Sequence, residues 1–334
     1  MSKRPIAVIT GGAGFIGSHM VDLLLDRNYE VRVIDNLSGG HERNLAHHAS
    51  NANLSLKVED ICNLEPDDAA FKDAKYVFHF AGIGDIVPSI EKPTAYMQTN
   101  VQGTVRVLEA SRFAGVQKVV YAASSSCYGL AATPTREDHM IDLMYPYALS
   151  KYQGEQSAFH WHKVYGLPVN SVCIFNAYGT RVRTTGVYGA VFGVFFKQKL
   201  AGKPYTVVGD GTQSRDFIYV SDVASAFFAA ADTEITGERF NVGAGSPQSI
   251  NRLIELLGGE VIYVPKRPGE PDCTWANISK ITTKLDWKPT IPFQEGVAKM
   301  MVEIENWKDA PLWDPESIKT ATKTWFQFMN AENK

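Results

Sequence analysis

A tyrosine and a lysine stand four residues apart in the segment PYALSK, at Tyr147 and Lys151. On a helix this spacing places both side chains on one face, one turn apart. A lysine ammonium beside a phenol stabilises the phenolate and lowers the pKa of the tyrosine toward neutrality, which would make Tyr147 a usable general base. The spacing alone is common by chance, so its meaning depends on the elements around it.

Three consecutive hydroxyl residues, Ser124, Ser125 and Ser126, follow the apolar run of residues 118–122. In open α/β sheets, ligands bind at the carboxyl ends of the strands. A serine at such an end could hydrogen-bond a substrate hydroxyl and the Tyr147 oxygen together. The alternative interpretation is a serine-rich turn.

A glycine-rich segment, TGGAGFIG at residues 10–17, lies between an apolar run and a stretch of helical periodicity. In a dinucleotide-binding turn, Gly11 allows the tight turn, Gly14 lets the backbone approach a pyrophosphate and Gly17 lets the helix pack closely on the strand. The helix N-terminus then offers N–H groups and a positive dipole to the phosphates. A loop built only for packing is the alternative, but the flanking strand and helix favour the dinucleotide interpretation.

An acidic residue, Asp35, ends the second strand-like run, 24 residues after Gly11. A carboxylate at that position accepts hydrogen bonds from the ribose hydroxyls of an adenosine. It also repels a 2′-phosphate, and no arginine or lysine follows before Arg43. We therefore expect the cofactor to be NAD(H) rather than NADP(H).

Short apolar runs alternate with helical stretches through the first half of the chain. This alternation predicts a doubly wound parallel sheet of the Rossmann type with helices as right-handed crossovers. The predicted strands are residues 5–10, 30–35, 54–58, 76–80, 118–122 and 169–174, and the main predicted helices are residues 15–28, 94–114 and 147–165.

The residue composition of the sequence changes after Asn176. Residues 178–193 are rich in Gly, Thr and Arg and predict a long loop, and Asp314 with Pro315 predicts a helix start. We divide the chain into a dinucleotide-binding domain, residues 1–175, and a smaller mixed α/β substrate domain, residues 176–334, with the chain able to cross between the two.

Composition excludes several classes of protein. With 334 residues, 45% of them hydrophobic, 21% charged, and a net charge of −3, the chain gives no electrostatic case for binding nucleic acid or an anionic membrane. No apolar run approaches the ~18 residues of a membrane helix, and the N-terminal run is too short for a signal peptide. Four cysteines without a C-x-x-C pair indicate a reducing, cytoplasmic compartment. The spacing of the histidines, including adjacent His47 and His48, predicts no metal site.

Together these motifs resemble the extended short-chain dehydrogenase/reductases, specifically the NAD-dependent nucleotide-sugar epimerases and dehydratases, over nearly the whole chain. The motifs that carry the resemblance are residues 10–17, Asp35-Asn36, Asp60-Ile61, Phe80-Ala81-Gly82, residues 100–104, residues 124–129, Tyr147 with Lys151, Phe175-Asn176, residues 209–211 with 215–217, and residues 267–270.

The resemblance implies a role for each matching position. It makes Ser124, Tyr147 and Lys151 the catalytic residues, with Lys151 also holding the nicotinamide ribose. The implied cofactor residues are Gly11, Gly14, Phe15, Ile16, Gly17, Asp35, Asn36, Asp60, Ile61, Ala81, Gly82, Asn100, Tyr147 and Lys151. The implied substrate residues are Ser124, Ser125, Ser126, Tyr147, Asn176, Arg215, Arg267, Glu270 and Thr274, with Arg215 and Arg267 on the diphosphate, since arginine matches phosphate oxygens.

Within this family, the residues after Ser124 distinguish the reactions. The 4,6-dehydratases carry acids there that eliminate water across C5 and C6 of the sugar, whereas this chain has Ser125 and Ser126. The chain therefore looks most like the UDP-hexose 4-epimerases, which oxidise C4 to a ketone and return the hydride to its other face. Thr274, before Trp275, occupies the position that faces the C2 substituent in those enzymes, and its size leaves room for an N-acetyl group.

Several alternatives stay open. Residues 179–193 do not match the substrate loop of the galactose-type epimerases, so a UDP-, GDP- or CDP-sugar 4,6-dehydratase or 4-keto reductase is the second interpretation. A dinucleotide-binding regulator is the third. The helices at residues 94–114 and 147–165 match the pair that forms a homodimer in the family, although apolar residues such as Val101, Leu108 and Trp161 suit a monomer core equally well.

Overall fold

A seven-stranded parallel sheet forms the centre of the computed structural model, which describes residues 4–184, 191–266 and 269–329. The strands are β1 (Ile6–Thr10), β2 (Glu30–Asp35), β3 (Leu54–Val58), β4 (Ala74–His79), β5 (Lys118–Ser124), β6 (Val169–Ile174), β7 (Asn176–Tyr178), β8 (Tyr205–Val208), β9 (Ser214–Arg215), β10 (Phe217–Tyr219), β11 (Glu238–Val242), β12 (Gln248–Ser249) and β13 (Val261–Val264). The central sheet has the order β11-β6-β5-β4-β1-β2-β3, with every neighbouring pair parallel. The predicted doubly wound α/β fold is confirmed.

Helices cover both faces of this sheet. The helices of the described residues are α1 (Phe15–Asp26), α2 (Ile86–Glu91), α3 (Pro93–Met97), α4 (Thr104–Phe113), α5 (Pro146–Tyr165), α6 (Val191–Leu200), α7 (Val220–Ala231), α8 (Ile250–Leu257), α9 (Ser279–Leu285), α10 (Phe293–Val302), α11 (Pro315–Ala321) and α12 (Lys323–Met329). Side chains of β1 alternate between two cores, as strand geometry requires. Ala7 and Ile9 belong to the core with α1 and α7, whereas Ile6 and Val8 belong to the core with α4 and α5.

The predicted helix at residues 94–114 is interrupted. Between α3 and α4, residues Gln98–Gly103 form a π-helical turn that carries the buried Asn100. Such turns occur frequently at functional sites, and apolar periodicity gives no sign of the extra residue that they insert. Leu108, considered above for a dimer face, is fully buried in the core of the chain.

The second half of the chain builds the smaller unit around a third apolar core. After β6 the chain leaves the central sheet, and it returns to the edge of that sheet as β11, which pairs with β6. The remaining strands form three two-stranded pairs, β7 with β10, β8 with β13 and β9 with β12. Asp314 caps α11 as the sequence predicts, in a reciprocal capping box with Ser317. Among the described residues no helix has the length and apolarity needed to span a membrane.

Candidate active site

A groove of about 770 Å³ opens at the carboxyl ends of the central strands. Its walls are built by the turn after β1, the ends of β2 and β5, the segments after β3 and β4, and the first turns of α5. The predicted cofactor residues that line it are Gly11, Gly14, Phe15, Ile16, Gly17, Asp35, Asn36, Asp60, Ile61, Ala81, Gly82, Tyr147 and Lys151. The sequence therefore identified residues from five separate segments that the fold brings to one place.

Two glycines of the turn after β1 are required by its geometry. Gly11 has φ of +72°, and a Cβ there would lie 2.7 Å from the backbone nitrogen of Ala81. A Cβ on Gly17 would lie 2.2 Å from the carbonyl oxygen of Gly11. Gly14 occupies the N-cap of α1 without a side-chain cap, so the first N–H groups of the helix remain available to an anion in the groove.

Asp35 organises the groove wall as well as lining it. Its Oδ2 accepts a hydrogen bond of 3.0 Å from the Ala13 N–H, and its Oδ1 accepts one of 2.8 Å from the Leu37 N–H. The side chain is nearly buried, 6% exposed. A carboxylate fixed in this way keeps lone pairs for ribose hydroxyls and presents a negative charge to any phosphate beside it.

Asn36 and Asp60 are joined across the adjacent wall. The Asn36 Nδ2 donates to Asp60 Oδ2 at 2.8 Å, and the Cys62 N–H donates to Asp60 Oδ1 at 2.8 Å. Burial alone would raise the pKa of Asp60, but these hydrogen bonds hold it below its usual value. The hydrogen bonds therefore fix the Asn36 amide and the Asp60 carboxylate in place beside Ile61.

Asn100 lies beneath the groove rather than on its wall. Its side chain exchanges hydrogen bonds with the backbone of Ile83, accepting at 2.8 Å and donating at 3.0 Å, and it donates to Ser150 Oγ at 2.9 Å. The amide is therefore committed to the protein, and Asn100 positions the segment around Gly82 instead of reaching into the groove. Asn100 is the one predicted cofactor residue that does not line the groove, and its contact with the cofactor stays a prediction.

The predicted catalytic hydroxyls meet where β5 ends and α5 begins. The Tyr147 and Ser124 side chains are hydrogen-bonded to each other, and Ser124 Oγ also accepts from the Ser126 N–H at 3.3 Å. Burial raises the pKa of Tyr147 to about 12, and the hydrogen bond with Ser124 opposes that shift. The expectation of a pKa lowered by Lys151 is therefore wrong for this structure.

The position of Lys151 explains why it does not lower the pKa of Tyr147. Its Nζ lies 4.6 Å from the centre of the Tyr121 ring and borders the groove beside Gly82. Burial lowers the pKa of Lys151 to about 8, although the charge of Glu155, one turn further along α5, opposes this. The ammonium thus lies over an aromatic face, where its charge does not offset the burial of the Tyr147 phenol.

A second recess, of about 190 Å³, contains three predicted substrate residues, Asn176, Arg215 and Glu270. Arg215 Nη2 donates to Glu270 Oε1 at 2.9 Å, so part of the guanidinium fork is already paired. Thr274 Oγ1 donates to Asn176 Oδ1 at 2.6 Å and joins the same group of side chains. Arg267 lies outside the described residues.

Some residues of the site carry no sequence signal. Tyr145, two residues before Tyr147, is hydrogen-bonded to Ser126 and packs against Trp325 of α12. Ser125 lies with Ser126 in a 3₁₀ turn, Ser125–Tyr128. The spacing of Tyr145 and Ser126 in the chain does not suggest this contact, because it depends on how β5 and α5 meet.

A polar cluster anchors the start of the loop that follows β7. Asp22 Oδ1 accepts from His47 and His48 at 2.8 and 2.9 Å, and its Oδ2 pairs with Arg181. One side-chain atom from each of Asp22, His47 and His48 lies within 4.8 Å of the other two. The spacing of the two histidines in the sequence did not indicate that both would contact one carboxylate. Because Arg181 already neutralises the same carboxylate, the arrangement serves as an ionic anchor for the loop.

The fold and the groove define the class of dinucleotide-binding α/β proteins, and Tyr147 and Lys151 lie together on the wall of the groove. A family model described as the NAD dependent epimerase/dehydratase family matches residues 7–243. The chain belongs to that family.

Similar proteins agree with this assignment. A protein described as a putative UDP-glucose 4-epimerase, from Methanocaldococcus jannaschii, is 35% identical over 307 residues, covering 90% of this chain and 98% of the relative. The structure of a UDP-N-acetylglucosamine 4-epimerase from Methanobrevibacter ruminantium, in complex with UDP-N-acetylmuramic acid, superposes with a TM-score of 0.84 at 33% identity, covering 90% of this chain and 100% of that one. The UDP-glucuronic acid 4-epimerase from Bacillus cereus, solved with UDP-glucuronic acid and NAD, also gives 0.84, at 31% identity, covering 90% and 99%.

These findings confirm the family resemblance, the NAD cofactor and the enzyme class. The protein is an NAD-dependent epimerase of the extended short-chain dehydrogenase/reductase type. The residues present fit NAD, because one groove combines an uncapped helix N-terminus for phosphates with a fixed Asp35 carboxylate for ribose hydroxyls.

Proposed function

We propose that the protein is a nucleotide-sugar 4-epimerase that acts on a UDP-hexose or UDP-N-acetylhexosamine. The observation that carries the proposal is the hydrogen bond between Tyr147 and Ser124 at the edge of the groove, followed in the chain by hydroxyl residues instead of acids. The Ser126 and Tyr145 side chains are hydrogen-bonded to each other. This arrangement can move the proton of a sugar hydroxyl, but Ser125 and Ser126 cannot act as carboxylic acids at C6.

Tyr147 is the proposed general base and acid. It removes the proton from the C4 hydroxyl of the sugar as C4 is oxidised, and it returns the proton after the resulting ketone has turned over in the site. Ser124 holds both the sugar oxygen and the phenol in line. Lys151 supplies a positive charge beside the groove when protonated. NAD held in the groove would supply the acceptor, and then the donor, of the C4 hydride.

The second recess is the proposed site of the nucleoside diphosphate. Arg215, which is 12% exposed at its side chain, offers charged donors to the phosphates, and Glu270 fixes its orientation. Asn176 and Thr274 lie beside this pair. The relatives' UDP-linked substrates support UDP as the nucleotide, and the small Thr274 supports an N-acetylated sugar at C2.

The test is incubation of the purified protein with UDP-glucose and UDP-N-acetylglucosamine carrying deuterium at C4. We expect partial conversion to the 4-epimer, the same ratio from either direction, and retention of the deuterium at C4. A product 18 mass units lighter would instead indicate a dehydratase. Stoichiometric use of added NADH would indicate a 4-keto reductase. Bound NAD without reaction on any UDP-, GDP- or CDP-sugar would indicate a regulator.

We further propose that the enzyme works as a homodimer in the cytoplasm. Large apolar side chains at the ends of α4 and α5, Phe113, Val164 and Tyr165, are more than half exposed and would be covered by a second copy. All four cysteines are free, which suits a reducing compartment. Light scattering of the purified protein tests the dimer.

A further inference from the structure

The C-terminal helix α12 lies outside the region that the family model matches, yet it contacts the site. Trp325 of this helix is 8% exposed, and its ring centre is 5.7 Å from that of Tyr145 at an interplanar angle of 49°. Aromatic pairs in such tilted geometry contribute beyond their buried area. Trp325 is therefore fixed against the residue that begins the catalytic helix.

Tyr145 carries this contact into the site. It is the N-cap residue of α5, two positions before Tyr147, and its hydroxyl is hydrogen-bonded to Ser126. Burial raises the pKa of Tyr145, and the charge of Glu270 contributes to the same shift. The phenol is thus bonded to the serine turn after β5 and lies within the electrostatic range of Glu270.

Two further contacts hold α12 across this region. Thr324 Oγ1 donates to Glu91 Oε1 of α2 at 3.0 Å. Met329 lies on the other side, with its Cε 3.6 Å from where a Cβ on Gly269 would be, and Met144 Cε is 3.1 Å from the same point. The helix therefore touches α2, the segment before α5, and the residue that precedes Glu270.

We propose that α12 is the outer wall of the sugar pocket, and that Trp325 is a positioning residue that holds the Tyr145–Ser126 pair against the C5 substituent of the sugar. The proposal rests on the proposed function, since Ser126 occupies a position where related dehydratases act on C5 and C6. The wall encloses a hydroxymethyl group between two hydroxyls. A sugar that lacks C6 leaves this space empty and gains nothing from the pair.

The test compares UDP-glucose with UDP-xylose, which lacks C6, in Trp325→Ala, Trp325→Phe and a control. The control is Phe328→Ala, because Phe328 lies on the same helix and is 53% exposed. Loss of the ring should raise the KM for UDP-glucose by about tenfold, as expected for one aromatic contact. The kcat should stay within about threefold and the Kd for NAD should not change. Trp325→Phe should restore most of the affinity, and Phe328→Ala should match the wild type.

The preference between the two sugars separates positioning from mere stability. In Trp325→Ala we expect the ratio of kcat/KM for UDP-glucose over UDP-xylose to fall about tenfold, whereas a purely structural role lowers both values equally. An unchanged ratio overturns the proposal. If this variant does not fold, Tyr145→Phe, which keeps the ring and removes only the hydroxyl, must lower the same ratio.

Turnover and binding by the wild type show whether the proposed function itself fails. If the wild type turns over neither sugar, the two Kd values from calorimetry replace kcat/KM, and a fall in their ratio in Trp325→Ala still supports the wall. If the wild type binds neither nucleotide sugar, the wall proposal is overturned together with the function.

Discussion

The Thr274 hydroxyl donates a hydrogen bond of 2.6 Å to Asn176 Oδ1 while it accepts one of 3.3 Å from the Asp216 N–H. A hydroxyl has a single proton, so accepting from Asp216 leaves that proton for Asn176. The Asn176 amide is thereby oriented, with its carbonyl toward Thr274 and its NH₂ left to donate within the recess. Thr274 does more than leave space for a sugar substituent.

Replacing Thr274 with valine should test this orientation at constant volume. Valine removes the donor and leaves the amide free to rotate, so we expect the KM for the nucleotide sugar to rise about fivefold to tenfold, the scale of one lost hydrogen bond. NAD affinity should not change. Thr274→Ser keeps the hydroxyl and should behave like the wild type in steady-state kinetics. Equal kinetics for the valine and serine variants would contradict the role.

Cofactor choice should depend on the charge of Asp35. Because the carboxylate also accepts the N–H groups of Ala13 and Leu37, Asp35→Ala would disturb the loop as well as the charge. Asp35→Asn keeps an acceptor and removes the charge, so it should narrow the preference for NAD over NADP by about tenfold or more, consistent with loss of a close like-charge contact. Calorimetry with both cofactors measures the ratio. Equal affinities in the wild type would refute the assignment.

The sequence predicted those parts of the site that depend on local chain geometry. The glycine turn and Asp35 follow from strand, turn and helix within about 30 residues, and the structure places them in one groove. Six of the seven strands of the central sheet were predicted for the same reason, since each is a short apolar run between helical stretches, whereas β11 was not predicted.

Other features depend on contacts that leave no local pattern. Asn100 lies in a π-helical turn, where its side chain is held by the backbone of Ile83, and apolar periodicity does not indicate this placement. The raised pKa of Tyr147 arises from burial, and the spacing of residues in the sequence does not predict that burial. The contact of Trp325 with Tyr145 joins the last described helix to the start of α5, and only the folded chain shows it.

Turnover should depend on the Tyr147 hydroxyl. Tyr147→Phe keeps the ring and should leave nucleotide-sugar binding intact while it lowers kcat by ~10²-fold or more, the usual effect of losing a positioned base. A loss of only a few-fold, with binding unchanged by calorimetry, would exclude Tyr147 as the base.

The pH profile should report the hydrogen bond between Ser124 and Tyr147. That bond lowers the pKa of Tyr147 against the raising effect of burial. Ser124→Ala removes it, so the pKa of the phenol should rise and the acidic limb of the kcat/KM profile should move to higher pH. The profile of wild type and variant, each measured with saturating NAD, gives the shift. A limb that stays in place or moves to lower pH would show that Ser124 does not tune the base.

In the protein without cofactor, the buried Lys151 should lower the free energy of unfolding at neutral pH. Burial lowers its pKa to about 8 from the ordinary value of 10.5. Between these two values the unfolded chain binds more protons than the folded one, so stability rises as the pH rises from about 8 to 10.5. The penalty is complete below pH 8 and amounts to at most about 3 kcal/mol. Lys151→Met removes this titration and should be more stable than the wild type at pH 7, by a margin that shrinks toward pH 10, while its activity falls.

Urea unfolding of both proteins without added cofactor at pH 7 and pH 9.5 measures that margin. Lys118→Met is the matched control, because Lys118 is also buried but donates to the carbonyl oxygens of Thr233 and Ile235 at 2.8 and 2.6 Å. The control should lose stability, since the Thr233 carbonyl oxygen is left without its lysine donor and the Ile235 oxygen keeps only the Asn170 side chain. Lys151→Met could instead be less stable than the wild type at pH 7, with an equal loss in the free energy of unfolding at pH 9.5. The ammonium of Lys151 in the wild type would then be a stabilising group in the folded protein. The lysine would then be held for the fold as well as for the reaction.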